Sequence, residues 1–112
     1  MSLTAVLRCH NLHDTREFYE SRLGFTAAHT AEGTLTVDKE GAKLIFTEQN
    51  LWNSHPVFTG TLYFTVKDVD SYYASIQEVV SLAWELQGMP YGTREFGIKD
   101  CNGYLLAFQQ KM

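Results

Sequence analysis

Strand, helix and three further strands can be read along residues 4–48, and the same order returns along residues 60–110. An internal repeat of roughly 50 residues restricts the chain to architectures assembled from two copies of one supersecondary unit. In the first copy Thr4–Cys9 alternates, with Ala5, Leu7 and Cys9 on one face and Thr4, Val6 and Arg8 on the other. Asn11 is an N-cap for a helix carrying Leu12, Thr15, Phe18, Tyr19 and Leu23 at helical spacing, and Gly24 ends it with a left-handed cap. Strands follow at 25–30, 34–38 and 42–48, with turns at Glu32-Gly33 and Lys39-Glu40-Gly41. In the second copy, Thr61–Val66 alternates Leu62, Phe64 and Val66 against Thr61, Tyr63 and Thr65. Asp68 caps a helix bearing Val69, Tyr72, Tyr73, Ile76 and Val80, and strands are expected at 82–86, 94–99 and 104–109. The last two are joined by the tight turn Asp100-Cys101-Asn102-Gly103.

Residues 49–59 connect the copies; Asn, Ser and Pro break regular structure there, and Trp52 is expected to pack back on the body. One copy alone would leave a sheet face bare, so the two are expected to pack together. The predicted fold is α+β: one domain over 1–112, with two βαβββ modules (about 4–48 and about 60–110) whose curved mixed sheets enclose a cavity and whose helices lie outside. A chain of 112 residues that is 45% hydrophobic and 20% charged has the material for one core. The net charge of −4 argues against a nucleic-acid partner, since phosphate neutralisation needs a basic face. No apolar run has the length of a membrane span, and no secretory signal opens the sequence. Met1-Ser2-Leu3 is compatible with an expression leader and carries no functional weight. Cys9 and Cys101 read as reduced thiols of a cytoplasmic protein, Cys9 as a small buried hydrophobe.

Three segments resemble the vicinal oxygen chelate superfamily, which includes glyoxalase I, extradiol dioxygenases, and fosfomycin and bleomycin resistance proteins. They are Leu7-Arg8-Cys9-His10-Asn11-Leu12 with Phe18-Tyr19-Glu20-Ser21-Arg22-Leu23-Gly24-Phe25, then 60–70 (GTLYFTVKDVD), then 92–108 (GTREFGIKDCNGYLLAF). The last is similar to a closing hairpin usually written REFxxxDPDGNxLxF. Enzymes of that superfamily hold a divalent metal through four strand positions. The resemblance places those positions at Thr4, Ile45, Thr61 and Ala107, none of which supplies an imidazole or carboxylate. A one-residue slip offers Leu44 or Phe46, Leu62, and Leu106 or Phe108 instead. His10 and His13 are spaced i, i+3, while His29 and His55 lie apart; with no third ligand beside them they read as solvated. The expectation is therefore a chain with no metal ligands, no cofactor and no catalytic residue.

Without a metal the inner face reads Thr4, Val6, Arg8, Ile45, Thr47, Thr61, Tyr63, Thr65, Leu105, Ala107 and Gln109. That lining suits a small aromatic or amphipathic ligand. The expected ligand-binding residues are Arg8, Ile45, Thr61, Tyr63, Trp84 and Ala107, with Tyr91 joining Trp84 in an aromatic wall. Arg8 has two readings, a surface or subunit-interface salt bridge and recognition of a carboxylate through its planar fork. The resemblance is nearest to the bleomycin-resistance type, which binds its drug at a dimer interface. It implies a metal-independent small-molecule binder that sequesters a drug or metabolite as a homodimer. The alternative is a glyoxalase-like lyase or dioxygenase-related enzyme with a non-standard site.

Overall fold

The computed structural model describes residues 3–112; Met1 and Ser2, for which compatibility with an expression leader was noted above, lie outside the described residues. The chain divides at the predicted connection into two compact units, one ending at Phe58 and the other beginning at Thr59. Each is a βαβββ module with one four-stranded mixed sheet, as the repeat requires.

In the first unit β1 (Thr4–Arg8) is followed by α1 (Leu12–Glu17), β2 (Thr26–His29), β3 (Thr34–Lys39) and β4 (Ala42–Thr47). The sheet order is β1-β4-β3-β2, with β1 parallel to β4 and the other pairs antiparallel. Asn11 caps α1 as expected, its side chain accepting from the Asp14 amide at 2.8 Å. The helix does not continue in α form to Leu23. At Phe18–Arg22 it widens into a π-helical turn, and the adjacent Phe18 and Tyr19 are both buried. The Tyr19 ring lies 5.2 Å from those of Phe25 and Phe46, closing the helix onto the sheet face of Leu7, Leu35, Val37, Leu44 and Phe46. Gly24 takes φ +76°, the left-handed conformation its position requires.

In the second unit β5 (Thr61–Thr65), α2 (Val69–Ile76), β6 (Ser81–Gly88), β7 (Thr93–Lys99) and β8 (Leu105–Lys111) form a sheet of order β5-β8-β7-β6, with β5 parallel to β8. Asp68 caps α2 by accepting from the Ser71 amide at 3.1 Å, which holds its carboxyl below the usual range. The helix ends at Ile76, short of Val80, and Val79 is exposed. Its Tyr72 and Tyr73 rings pack edge-on against Phe108 and Phe96, which stack with Phe64 in one aromatic layer. One sheet face is thus committed to the core by Phe64, Phe96, Ile98, Leu106 and Phe108. Trp52 does not pack down fully as expected: it remains half-exposed in the connection.

Candidate functional site

The opposite face of the second sheet is fixed by the two-residue period of its strands. Strand pairing aligns Tyr63 (β5), Ala107 (β8), Gly97 (β7) and Trp84 (β6) in one row. The next row is Thr65, Gln109, Glu95 and Gln87. These positions alternate with the core residues Phe64, Phe108, Phe96 and Ile98, so they share the face turned away from α2.

Glu95 is fully buried on this face. Three hydroxyls converge on its carboxylate. Tyr91 donates to Oε1 at 2.6 Å, Thr93 donates to Oε1 at 3.1 Å, and Tyr63 reaches Oε2 at 3.5 Å. Thr93 is itself buried, whereas Tyr63 and Tyr91 are 49% and 59% exposed, so two aromatic rings stand in solvent while their hydroxyls reach a buried acid. The short bond to Glu95 pushes the Tyr91 phenol well above its ordinary value of 10.0.

Trp84 reaches the same face through an irregularity. Leu82 pairs with Ile98, on the core face, yet Trp84 pairs with Gly97, on the open face, and register shifts lie on both sides of Trp84. In a regular strand Leu82 and Trp84 would share a face; the bulge turns the indole over. Gly97 makes room for it: a methyl group there would stand 2.6 Å from Cδ2, Cε2 and Cε3 of the indole, so the ring lies flat against the glycine. The indole Nε1 is buried and has no hydrogen-bond acceptor among the described residues.

The structure therefore groups Tyr63, Trp84 and Ala107 in one row and puts Thr61 on the same face, opposite Leu105. Arg8 and Ile45 lie on the open face of the first unit's sheet, with Val6 opposite Ile45 and Thr47 opposite Arg8. The half-buried Arg8 donates from Nη1 to the Ser54 carbonyl in the connection. Glu95 and Gly97 were absent from the expected site. The alternation in Arg94-Glu95-Phe96-Gly97-Ile98 already puts both opposite Phe96 and Ile98, which is the signal that would have found them.

The four positions that the resemblance marks as metal ligands fall in equivalent places in the two units. Thr4 and Ile45 are offset by two residues across the parallel pair β1/β4, and Thr61 and Ala107 by two across β5/β8. Their donor set does not fit a divalent metal: two hydroxyls and two hydrocarbon side chains offer neither imidazole nor carboxylate. Among the described residues no three His, Cys, Asp or Glu side chains stand together to hold an ion.

A family model of the glyoxalase/bleomycin resistance protein/dioxygenase superfamily matches residues 3–108. The chain belongs to this superfamily. No curated protein matches the sequence. Among solved structures, a superfamily protein from Alicyclobacillus acidocaldarius superposes with a TM-score of 0.80 at 18% identity, covering 100% of this chain and 92% of that one. TnmS3, an antibiotic binding protein from Streptomyces sp. CB03234, superposes with a TM-score of 0.82 at 18% identity, covering 100% and 96%. A virulence protein from Salmonella typhimurium gives 0.77 at 20% identity, covering 100% and 96%. At these identities the likeness is one of fold, and function rests on the site.

Proposed function

We propose that this superfamily member is a metal-independent binding protein that takes a small amphipathic aromatic molecule on the open face of its second sheet. The observation that carries this reading is the arrangement around Glu95: a buried carboxylate reached by hydroxyls of two half-exposed tyrosines, beside an indole laid flat on Gly97. Aromatic surface around a few placed polar groups is the usual composition of a small-molecule site. Thr61 and Ala107 extend the floor; Arg8 and Ile45, the other expected ligand contacts, stand on the open face of the first unit's own sheet. The antibiotic bound by TnmS3 makes natural-product drugs the first compounds to try.

A thermal-shift screen of glycopeptide antibiotics, aromatic acids and glutathione conjugates tests the reading, because a ligand that prefers the folded state raises its stability. Stabilising compounds should lose their effect in Tyr63→Ala. Compounds that stabilise Tyr63→Ala and the parent protein equally would place binding elsewhere. We also propose a cytoplasmic homodimer, checked by light scattering, where a mass near 12.8 kDa at micromolar concentration would exclude it. Metal analysis after dialysis should find no stoichiometric zinc, nickel, manganese or iron; finding one would favour the enzyme reading.

A further inference from the structure

Glu95 is a buried acid without a buried base. Its neighbours are three hydroxyls, and no Lys, Arg or His among the described residues forms a salt bridge with it. Buried carboxylates ordinarily have a charge partner or a metal, because leaving one unpaired in a low-dielectric site is costly. A carboxylate offers about four lone-pair positions. Tyr91 and Thr93 use two on Oε1, and Tyr63 uses one on Oε2, leaving an acceptor position on Oε2. The Tyr63 bond is also the longest of the three, at 3.5 Å, and its ring is half-exposed, so this hydroxyl is the one held least firmly. Alongside, the indole Nε1–H of Trp84 lacks an acceptor. Between them the two groups ask for a ligand that donates strongly at one point, accepts at another, and presents a flat apolar body to Tyr63 and Trp84.

We propose that this face selects organic cations: its ligand carries an ammonium or amidinium group that donates to Glu95 Oε2 and takes the place of the Tyr63 hydroxyl. The inference rests on the reading that the second sheet's open face binds a small molecule, and it adds the charge class of that molecule. The protein supplies the buried anion and the ligand supplies the missing countercharge, which makes each N–H···O bond charge-assisted. A cation placed against Tyr63 and Trp84 also gains from the ring faces. A carboxylate ligand would meet Glu95 as a like charge, which disfavours it.

The test uses three probes of nearly one shape: benzamidine (cation), benzamide (neutral) and benzoate (anion). Each is titrated into the full chain while nitrogen–proton correlation spectra are recorded. Benzamidine should bind about ten- to a hundredfold more tightly than benzamide, the range for gaining a charged hydrogen bond, with benzoate weakest. In Glu95→Gln the preference for benzamidine over benzamide should vanish while benzamide still binds. Tyr63→Phe, which removes the competing hydroxyl, should keep the preference. Should Glu95→Gln not fold, the Glu95 carboxyl carbon in the parent protein is the second readout: benzamidine should shift it and benzamide should not. Equal affinities for the three probes on this face, or a preference for benzoate, would overturn the charge assignment and leave small-molecule binding standing. No perturbation of any residue of β5–β8 by any probe would overturn both.

Discussion

Adding a single methyl group at Gly97 tests the geometry on which the site depends. An alanine there would put its Cβ 2.6 Å from three carbons of the Trp84 ring, whereas ordinary contact begins near 3.4 Å. The indole must therefore lift by roughly 0.8 Å or swing away, and overpacking of this kind costs about 1–3 kcal/mol. Gly97 does not use a positive φ, so alanine adds no backbone strain and recovers about 0.4–1 kcal/mol through the unfolded chain. Gly97→Ala should therefore destabilise the protein by about 1–2 kcal/mol, read as a drop of roughly 4 °C in Tm per kcal/mol. In a Trp84→Ala background the clash is gone and the same methyl should be neutral or mildly stabilising, so the double-mutant cycle should show a coupling of about 2 kcal/mol. With Trp52 replaced by Phe to leave one indole, the emission of Trp84 should shift to the red as the ring rises into water. Equal effects of Gly97→Ala in both backgrounds would refute the stacking of Trp84 on Gly97, and with it the bulge that turns the indole to the Glu95 face.

Two further outcomes follow from the same structure. Cys9 is 1% exposed and burial pushes its thiol up, whereas Cys101 is exposed in its turn; a thiol reagent should modify one cysteine per native chain quickly, and Cys101→Ser should abolish that fast phase. The Tyr91 phenol holds its proton more tightly folded than unfolded. The stability this contributes is complete below its unfolded value of 10.0 and is lost as pH rises from there through the raised folded value. Urea midpoints should fall with rising pH in that window, and Glu95→Gln should flatten the fall; an unchanged slope would separate Tyr91 from Glu95.

Much of the fold was legible because each signal was local. Asn11 and Asp68 announce their helices by capping chemistry, Gly24 announces a stop, and the alternation in Thr4–Cys9 and Thr61–Val66 assigns faces that the strand pairing keeps. The π-helical turn at Phe18–Arg22 was not legible, because helical spacing carries the same residues whether the turn is α or π; the burial of two adjacent rings against Phe25 and Phe46 decides it. At the site, Tyr63, Thr61 and Ala107 were readable from alternation alone. Trp84 stands on this face by a route that was hidden in the sequence: a bulge depends on pairing with β7, which no local pattern in residues 81–88 encodes. Glu95 was missed although its period was visible, because nothing local to β7 shows that a tyrosine of β5 and one of the preceding loop gather on its carboxylate. Its burial and its three hydroxyl partners arise from residues 63, 91 and 93, brought together by β5, β7 and the loop before β7.

The most direct measurement is a map of where a bound compound acts. A ligand from the screen is titrated into labelled protein, and the shifts of backbone amides and both indole N–H groups are followed. The changes should concentrate on Tyr63, Trp84, Glu95, Gly97 and Ala107, with the Trp84 indole proton moving downfield as it gains an acceptor. Changes confined to Arg8, Ile45 and the rest of the first unit, with the Trp84 indole unmoved, would contradict a binding face on the second sheet.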